Sequence, residues 1–214
     1  SSREANRAPY KIVKEGAANE VVDLEPNLFD LPLGIHSQDN GGKYITGGII
    51  IAKHPEMDMQ NASYNRCQLV DKNKLHVWMM PPQHLGLYFD VAEKKNQPLE
   101  IAIVIGGPVS LMYSAASKIP FERDELEFAG ALKNEPLEVV KCQTNDVLVP
   151  ANAEIVIEGR VLPNVREDEG PFGEFTDSYV PVMKNHVVEI TAITHRKDAV
   201  YHDIYAGGRE DMHL

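Results

Sequence analysis

The sequence predicts a strand-rich α+β domain built on an antiparallel sheet or barrel. β-branched apolar runs recur along most of the chain, helical spacing is confined to three short segments, and the two do not alternate as a parallel sheet requires. Residues 1–43 are broken by Pro26, Pro32, Gly34, Gly41 and Gly42 and read as an extended arm and loop. The first strand signal is KYITGGIIIAK (43–53), which stops at His54-Pro55. ASYNRCQLV (62–70) and KLHVWMM (74–80) flank Asp71-Lys72-Asn73, a hairpin-like loop of turn residues. QHLGLYFDVAEKKNQ (83–97) places Leu85, Tyr88, Val91 and Ala92 on one helical face. LEIAIVIGG (99–107) is a continuous apolar run and reads as a buried strand. PVSLMYSAAS (108–117) opens with Pro at a helical first turn. RDELEFAGALK (123–133) offers Asp124 and Glu127 as a capping pair, with Leu126, Ala129 and Leu132 at helical spacing. EVVKCQTNDVLV, AEIVIEGRVL and HVVEITAITHR add three or four strands.

Composition bounds the possibilities. The 214 residues are 43% hydrophobic and 25% charged, enough for one large domain or two small ones with a real core. No stretch approaches the run of about 18 apolar residues that a membrane helix needs. No signal-peptide pattern is present. The chain starts at Ser1 without Met and stops at Leu214 in mid-phrase, so a piece of a longer protein is expected. Net charge is -11 and no Lys/Arg cluster stands out, so neither nucleic acid nor an anionic membrane is an expected partner. The two cysteines, Cys67 and Cys142, make no disulfide framework. They read as buried apolar side chains in a reduced, cytoplasmic protein.

Four short motifs carry candidate chemistry. EDEGPFGEF (167–175) packs four carboxylates around Gly170, Pro171 and Gly173. Such a turn holds Glu169 and Glu174 in a fixed relation, and paired carboxylates favour one that keeps its proton, a useful state for a general acid. A solvated acidic turn fits the motif equally. NASYNR (61–66) puts Asn61, Ser63 and Asn65 on one side of a strand, with Arg66 on the other. Arg66 suits a carboxylate, either Glu169 or an acid substrate, but also an ordinary surface ion pair. PPQH (81–84) holds His84 at a rigid helix entry, as a metal ligand, a cap or a packed ring. LEVVKC (137–142) sets Glu138 in an apolar strand, either facing solvent or buried with a cation. No phosphate-binding glycine loop, GxSxG, HExxH or paired CxxC is present.

Together with DNGGKYITGGIIIAK, AGAL and DVLVPANAEIVIEG, these phrases fall in one order from about Asp30 to the C-terminus. In that order the chain resembles the UbiD-type decarboxylases, the family that includes ferulic acid decarboxylase. The resemblance implies reversible, non-oxidative decarboxylation of aromatic, heteroaromatic or α,β-unsaturated acids with prenylated FMN. A separate flavin prenyltransferase makes that cofactor. Manganese or another divalent ion, with K+ nearby, is implied at its phosphate. The metal ligands fall on Asn61, His84 and Glu138, and hard oxygen and nitrogen donors suit such an ion. The catalytic set falls on Arg66, Glu169 and Glu174: Glu174 matches the proton donor, and Arg66 with Glu169 the pair that holds the carboxylate and tunes it. Ser63, Tyr64, Asn65, Arg66 and Gln83 fall in cofactor-contacting stretches, beside Asn61, His84 and Glu138. Glu167 and Asp168 receive no role and read as solvated charge.

The resemblance also implies the fold: a flavin-reductase-like split β-barrel with flanking helices over residues 44–207. Residues 1–43 form an arm or linker before it, and 208–214 begin a C-terminal portion. The family chain is longer at both ends and dimerises through its C-terminal part, so a homo-oligomer is expected of the full-length form and weak activity of this piece alone. A carboxylase subunit of an anaerobic aromatic-carboxylating complex is one alternative. A non-catalytic flavin-binding subunit is the other, which the acid set of Arg66, Glu169 and Glu174 argues against.

Overall fold

The structure, a computed structural model, describes residues 10–80, 82–174 and 178–205. The segment before Tyr44 is largely irregular, yet it contributes β1 (Lys11–Ile12) and β2 (Val21–Asp23), with 3-10 turns at Ala17–Asn19 and Leu28–Asp30. The expected strand over 43–53 divides at Thr46-Gly47 into β3 (Tyr44–Ile45) and β4 (Gly48–Lys53). The stretch up to Val70 also divides. β5 (Gln60–Tyr64) ends before Asn65-Arg66, and β6 (Cys67–Asp71) turns at Asp71-Lys72-Asn73 into β7 (Lys74–Val77).

The three expected helices are present. α1 (His84–Lys94) follows β7, β8 (Leu99–Ile105) follows α1, and α2 (Val109–Ala116) begins just after Pro108. α3 (Glu125–Lys133) is capped by Asp124, whose carboxylate accepts from the Leu126 N–H. It stops at Asn134, which takes the left-handed conformation at φ 57°. β9 (Glu138–Lys141) and β10 (Leu148–Pro150) follow. Then come the long β11 (Ile155–Glu169), the short β12 (Phe172–Gly173) and β13 (Tyr179–Val180), and the long β14 (Met183–His195).

Among the described residues the main sheet runs β3-β6-β7-β14-β11-β8-β4-β5, with β2 added on β14. Its pairings are antiparallel. The end strands β3 and β5 do not pair with each other, so strand pairing shows a large open sheet rather than a closed barrel. β1, β9 and β10 form a second, three-stranded sheet.

Both faces of the central strands are covered, which explains their continuous apolar runs. On β8, Ile101, Ile103 and Ile105 point into one core with Leu85, Tyr88 and Phe89 of α1. Ala102 and Val104, the alternate residues, point into another core with Leu111 of α2, Leu126 and Ala129 of α3, and Val139 of β9. Shortening one such side chain, as in Ile103→Ala, costs about 2–5 kcal/mol. Both cysteines are free and buried, and burial pushes the Cys67 thiol up to about 12 and that of Cys142 upward as well.

Candidate active site

Arg66 sits in the two-residue break between β5 and β6, where the chain leaves the sheet ladder. Its guanidinium is nearly buried, at 7% side-chain exposure, and faces two carboxylates. Nε donates to Glu169 Oε1 at 3.1 Å and Nη2 to Oε2 at 3.2 Å, the planar fork that lysine cannot form. Nη1 donates to Glu174 Oε1. The guanidinium carbon also lies 4.6 Å from the Trp78 ring centroid and 4.7 Å from that of Phe172.

The two glutamates differ in surroundings. Glu169, the last residue of β11, has 1% side-chain exposure and takes a further bond from Asn185 Nδ2 at 2.9 Å. Glu174 lies past the turn, with 27% exposure and its N–H on the Ser178 carbonyl. Tyr44 is fully buried against Phe172, and its phenol is pushed well up by burial and then by the negative charge of Glu169.

The turn between the glutamates is clamped from outside. Gly170 takes φ 104°, a conformation that disfavours side chains, and its peptide bond to Pro171 is cis. Its N–H reaches Gln68 Oε1 at 3.3 Å, and Gln68 Nε2 donates to the Gly41 carbonyl at 2.9 Å. The Gly41 N–H donates to Pro171 O at 2.7 Å, and the Gly173 N–H to Asn40 Oδ1 at 2.8 Å. A loop and a strand from elsewhere in the chain thus fix the relation of Glu169 to Glu174. Asp168 is exposed with Lys184, whereas Glu167, expected to be free in solvent, is held by Lys74 and His76.

A second polar group adjoins the first. Ser63 Oγ lies 3.4 Å from Asn61 Oδ1 and 2.9 Å from Asn65 Oδ1. Asn65 Nδ2 donates to Trp78 O at 3.1 Å and reaches Gln83 Oε1 at 3.4 Å. Trp78 therefore joins the halves: its carbonyl ties down Asn65 and its ring lies against Arg66. Tyr64, on the alternate face of β5, packs instead against the core beneath α2 and α3.

The expected place of Glu138 is corrected. Glu138 lies on β9 in the smaller sheet, its side chain 57% exposed and paired with Lys11 at 2.8 Å. The carboxylate that meets Asn61 and His84 is Glu125, the first residue of α3. Asn61 Nδ2 donates to Glu125 Oε1 at 3.1 Å, and the Ala62 N–H to Oε2 at 3.0 Å. His84 Nδ1 lies 3.9 Å from the same Oε1. Burial pushes the Glu125 carboxyl up to about 7 and that of Asp124 up to about 6. A signal for Glu125 was present in the sequence: it stands four residues before Ala129, on the buried side of α3.

The family model for the 3-octaprenyl-4-hydroxybenzoate carboxy-lyase Rift-related domain, UbiD, matches residues 11–209. The chain belongs to the UbiD family. One similar UbiD relative is the anhydromevalonate phosphate decarboxylase of Methanosarcina mazei, 37% identical over 94% of this chain and 47% of that protein. Among solved UbiD structures, an evolved dimeric form of the UbiD-class enzyme HmfF from Pelotomaculum thermopropionicum, in complex with prFMN, superposes with a TM-score of 0.93. It is 42% identical over 98% of this chain and 50% of that one. The closed form of Sedimentibacter hydroxybenzoicus vanillic acid decarboxylase superposes with a TM-score of 0.91, at 33% identity over 95% of this chain and 45% of that one. The chain spans about half the length of the relatives it matches.

Proposed function

We propose that this chain is the prenylated-FMN-binding part of a reversible carboxy-lyase acting on an aromatic, heteroaromatic or α,β-unsaturated acid. The observation that carries the reading is the sharing of one buried guanidinium by Glu169 and Glu174. The similarity to structures described with prFMN supports the cofactor, and the named decarboxylases among the relatives support the reaction. On this reading residues 44–207 are the cofactor-binding domain, a split barrel completed by parts outside the described strand pairing, and residues 1–43 are its arm.

The residues fit the implied groups. Asn61, His84 and Glu125 offer an amide oxygen, an imidazole and a carboxylate, a donor set for manganese or another hard divalent ion at the cofactor phosphate. Glu125 replaces Glu138 in that set. It is buried with no lysine or arginine among its described partners, and a bound cation would offset the cost of its charge. Ser63, Asn65 and Gln83 are positioned to orient the flavin, and K+ would accompany the phosphate.

Bound prenylated FMN supplies the electron sink at the carbon that bears the carboxylate. The chain does the rest. Three of the roughly five N–H donors of Arg66 are engaged, which leaves donors for a substrate carboxylate. The bond from carbon to carboxylate breaks, carbon dioxide leaves, and the carbon keeps the electron pair. Glu174 then delivers its proton to that carbon and regains one from solvent through its exposed side. Carboxylation is the same path reversed.

The test is co-production of the full-length protein with a flavin prenyltransferase and manganese, followed by assay on furoic, benzoic and cinnamic acids. Retained flavin absorbance and carbon dioxide release from one of them are expected. A folded protein that keeps no flavin and turns over no acid would overturn the reading. Full activity in Glu174→Gln would leave only a flavin-binding role. The same preparation would show whether the full-length protein is a homo-oligomer.

A further inference from the structure

Asn185 lies near the start of β14, 4% exposed, opposite Glu167 of β11 and diagonal to Glu169. A buried asparagine is costly unless its amide is used. Here Nδ2 donates to Glu169 Oε2, which already accepts from Arg66 Nη2. The orientation of the amide is fixed by chemistry, since its other end would set an oxygen against a carboxylate oxygen.

We propose that Asn185 is a positioning residue that keeps Glu169 as the immobile partner of Arg66 and so leaves Glu174 as the carboxylate that reaches the substrate. This rests on the decarboxylase reading above. Arg66 already leans toward Glu169, with two donors on it and one on Glu174. Asn185 adds a further bond to Glu169 alone. With it, Glu169 accepts three hydrogen bonds at essentially zero exposure, while Glu174 keeps an open side to solvent and substrate. An amide also gives Glu169 a donor with no charge of its own. Arg66 therefore remains the sole cation among the groups described around the pair, and its remaining donors stay free for the substrate. The added bond comes from a strand that touches neither Arg66 nor Glu174 in the described hydrogen-bond network, so it acts through Glu169.

The experiment is a double-mutant cycle in the full-length, cofactor-loaded protein: wild type, Asn185→Leu, Glu169→Gln and the double variant. Asn185→Leu is expected to lower kcat by roughly 10-fold or more with KM near wild type, because a hydrogen bond to a charged group is lost. Its pH–rate profile is expected to shift, because the geometry that sets Glu169 apart from Glu174 around Arg66 is loosened. In the Glu169→Gln background the same substitution should change kcat by less than about twofold, since partners in one network are not additive. Melting temperatures of all four proteins report the same coupling without turnover. Equal kcat losses in both backgrounds, an unmoved pH profile, or no coupling in melting would overturn the proposal while leaving the decarboxylase reading intact. If the wild type turned over no acid, the decarboxylase reading would fail first, and Asn185 would be a structural partner only.

Discussion

Arg66 grips both carboxylate oxygens of Glu169, with Nε 3.1 Å from one and Nη2 3.2 Å from the other. A planar fork makes that contact and a single ammonium does not. Arg66→Lys keeps the charge but loses the fork and the Trp78 and Phe172 ring contacts. Turnover of the loaded full-length enzyme should fall by about 100-fold or more, as when one preorganised donor is removed. Stability should fall by about 1–3 kcal/mol, because Glu169 is left with unfilled acceptors. Steady-state assays and denaturant melts check both. Wild-type turnover in Arg66→Lys would refute the assigned role.

Glu125 and Glu138 separate two assignments of the same ligand. On the proposed reading, Glu125→Gln should keep far less manganese than wild type on dialysis, because a neutral amide replaces the carboxylate that meets Asn61 and His84 among the described residues. Glu138→Gln removes an exposed pair with Lys11 and should retain full metal content. Elemental analysis of the two purified variants decides. Metal loss in Glu138→Gln alone would restore the sequence-based assignment.

Periodicity made the strands and helices legible because both faces of the main sheet are buried, so the apolar runs on β4 and β8 are long. The breaks were less legible. The Gly47-Gly48 pair is a local hint of the first break, but nothing comparable in NASYNRCQLV marks Asn65-Arg66 as the place where the ladder stops. Those breaks are imposed by distant partners, such as Asp203 on Thr46 and Glu169 on Arg66. The Arg66, Glu169 and Glu174 group was readable through resemblance, and the structure brings the three together. Glu138 was expected beside Asn61 and His84, and the structure places it elsewhere for a physical reason. Strand alternation alone offered a solvent-facing carboxylate, and the structure has that arrangement. Glu125 was hidden beside Asp124 and Glu127, which helix-cap logic claimed first. Asn185 had no signal at all, because its partner is fixed only by the β11–β14 register.

The clamp on the Gly-Pro-Phe-Gly turn can be tested at Gly41. A Cβ there would lie 2.0 Å from the Gly170 carbonyl oxygen and 2.5 Å from its carbon, both backbone atoms that cannot swing aside. Gly41→Ala should therefore push the turn outward and stretch the bond from Gly41 N–H to Pro171 O. A loss of about 1–3 kcal/mol is expected, as for other overpacked sites. Turnover should fall with it, since Glu169 and Glu174 lie on either side. Gly107→Ala is the control: its Cβ would meet Val104 at 3.6 Å, an ordinary contact. Thermal melts and assays of the two variants should separate clearly, and equal behaviour would show that the turn tolerates displacement.

His186 sets an acid limit on stability that is independent of the Arg66, Glu169 and Glu174 group. Burial first, and then the Arg166 guanidinium, lower its pKa from the ordinary 6.5 to about 4, against smaller opposing effects of Glu93, the Val77 backbone and Asp90. The ring packs edge-on against Phe89, and Nδ1 is buried with no hydrogen-bond partner among the described residues. The sign follows from proton counts. Between about pH 6.5 and pH 4 the unfolded chain binds the proton more readily than the folded one, so stability falls as pH drops through that window. Above about 7 the histidine is neutral in both states and contributes no slope. Carboxylates with lowered pKa, such as Glu93 and Glu167, add their own losses on the acid side, so the informative quantity is a difference between proteins. His186→Leu keeps an apolar group against Phe89 and removes the titration. Its melting temperature should decline less steeply than that of wild type between pH 6.5 and 4, with parallel curves above pH 7. Parallel curves through the whole range would mean that His186 titrates alike in the folded and unfolded chain.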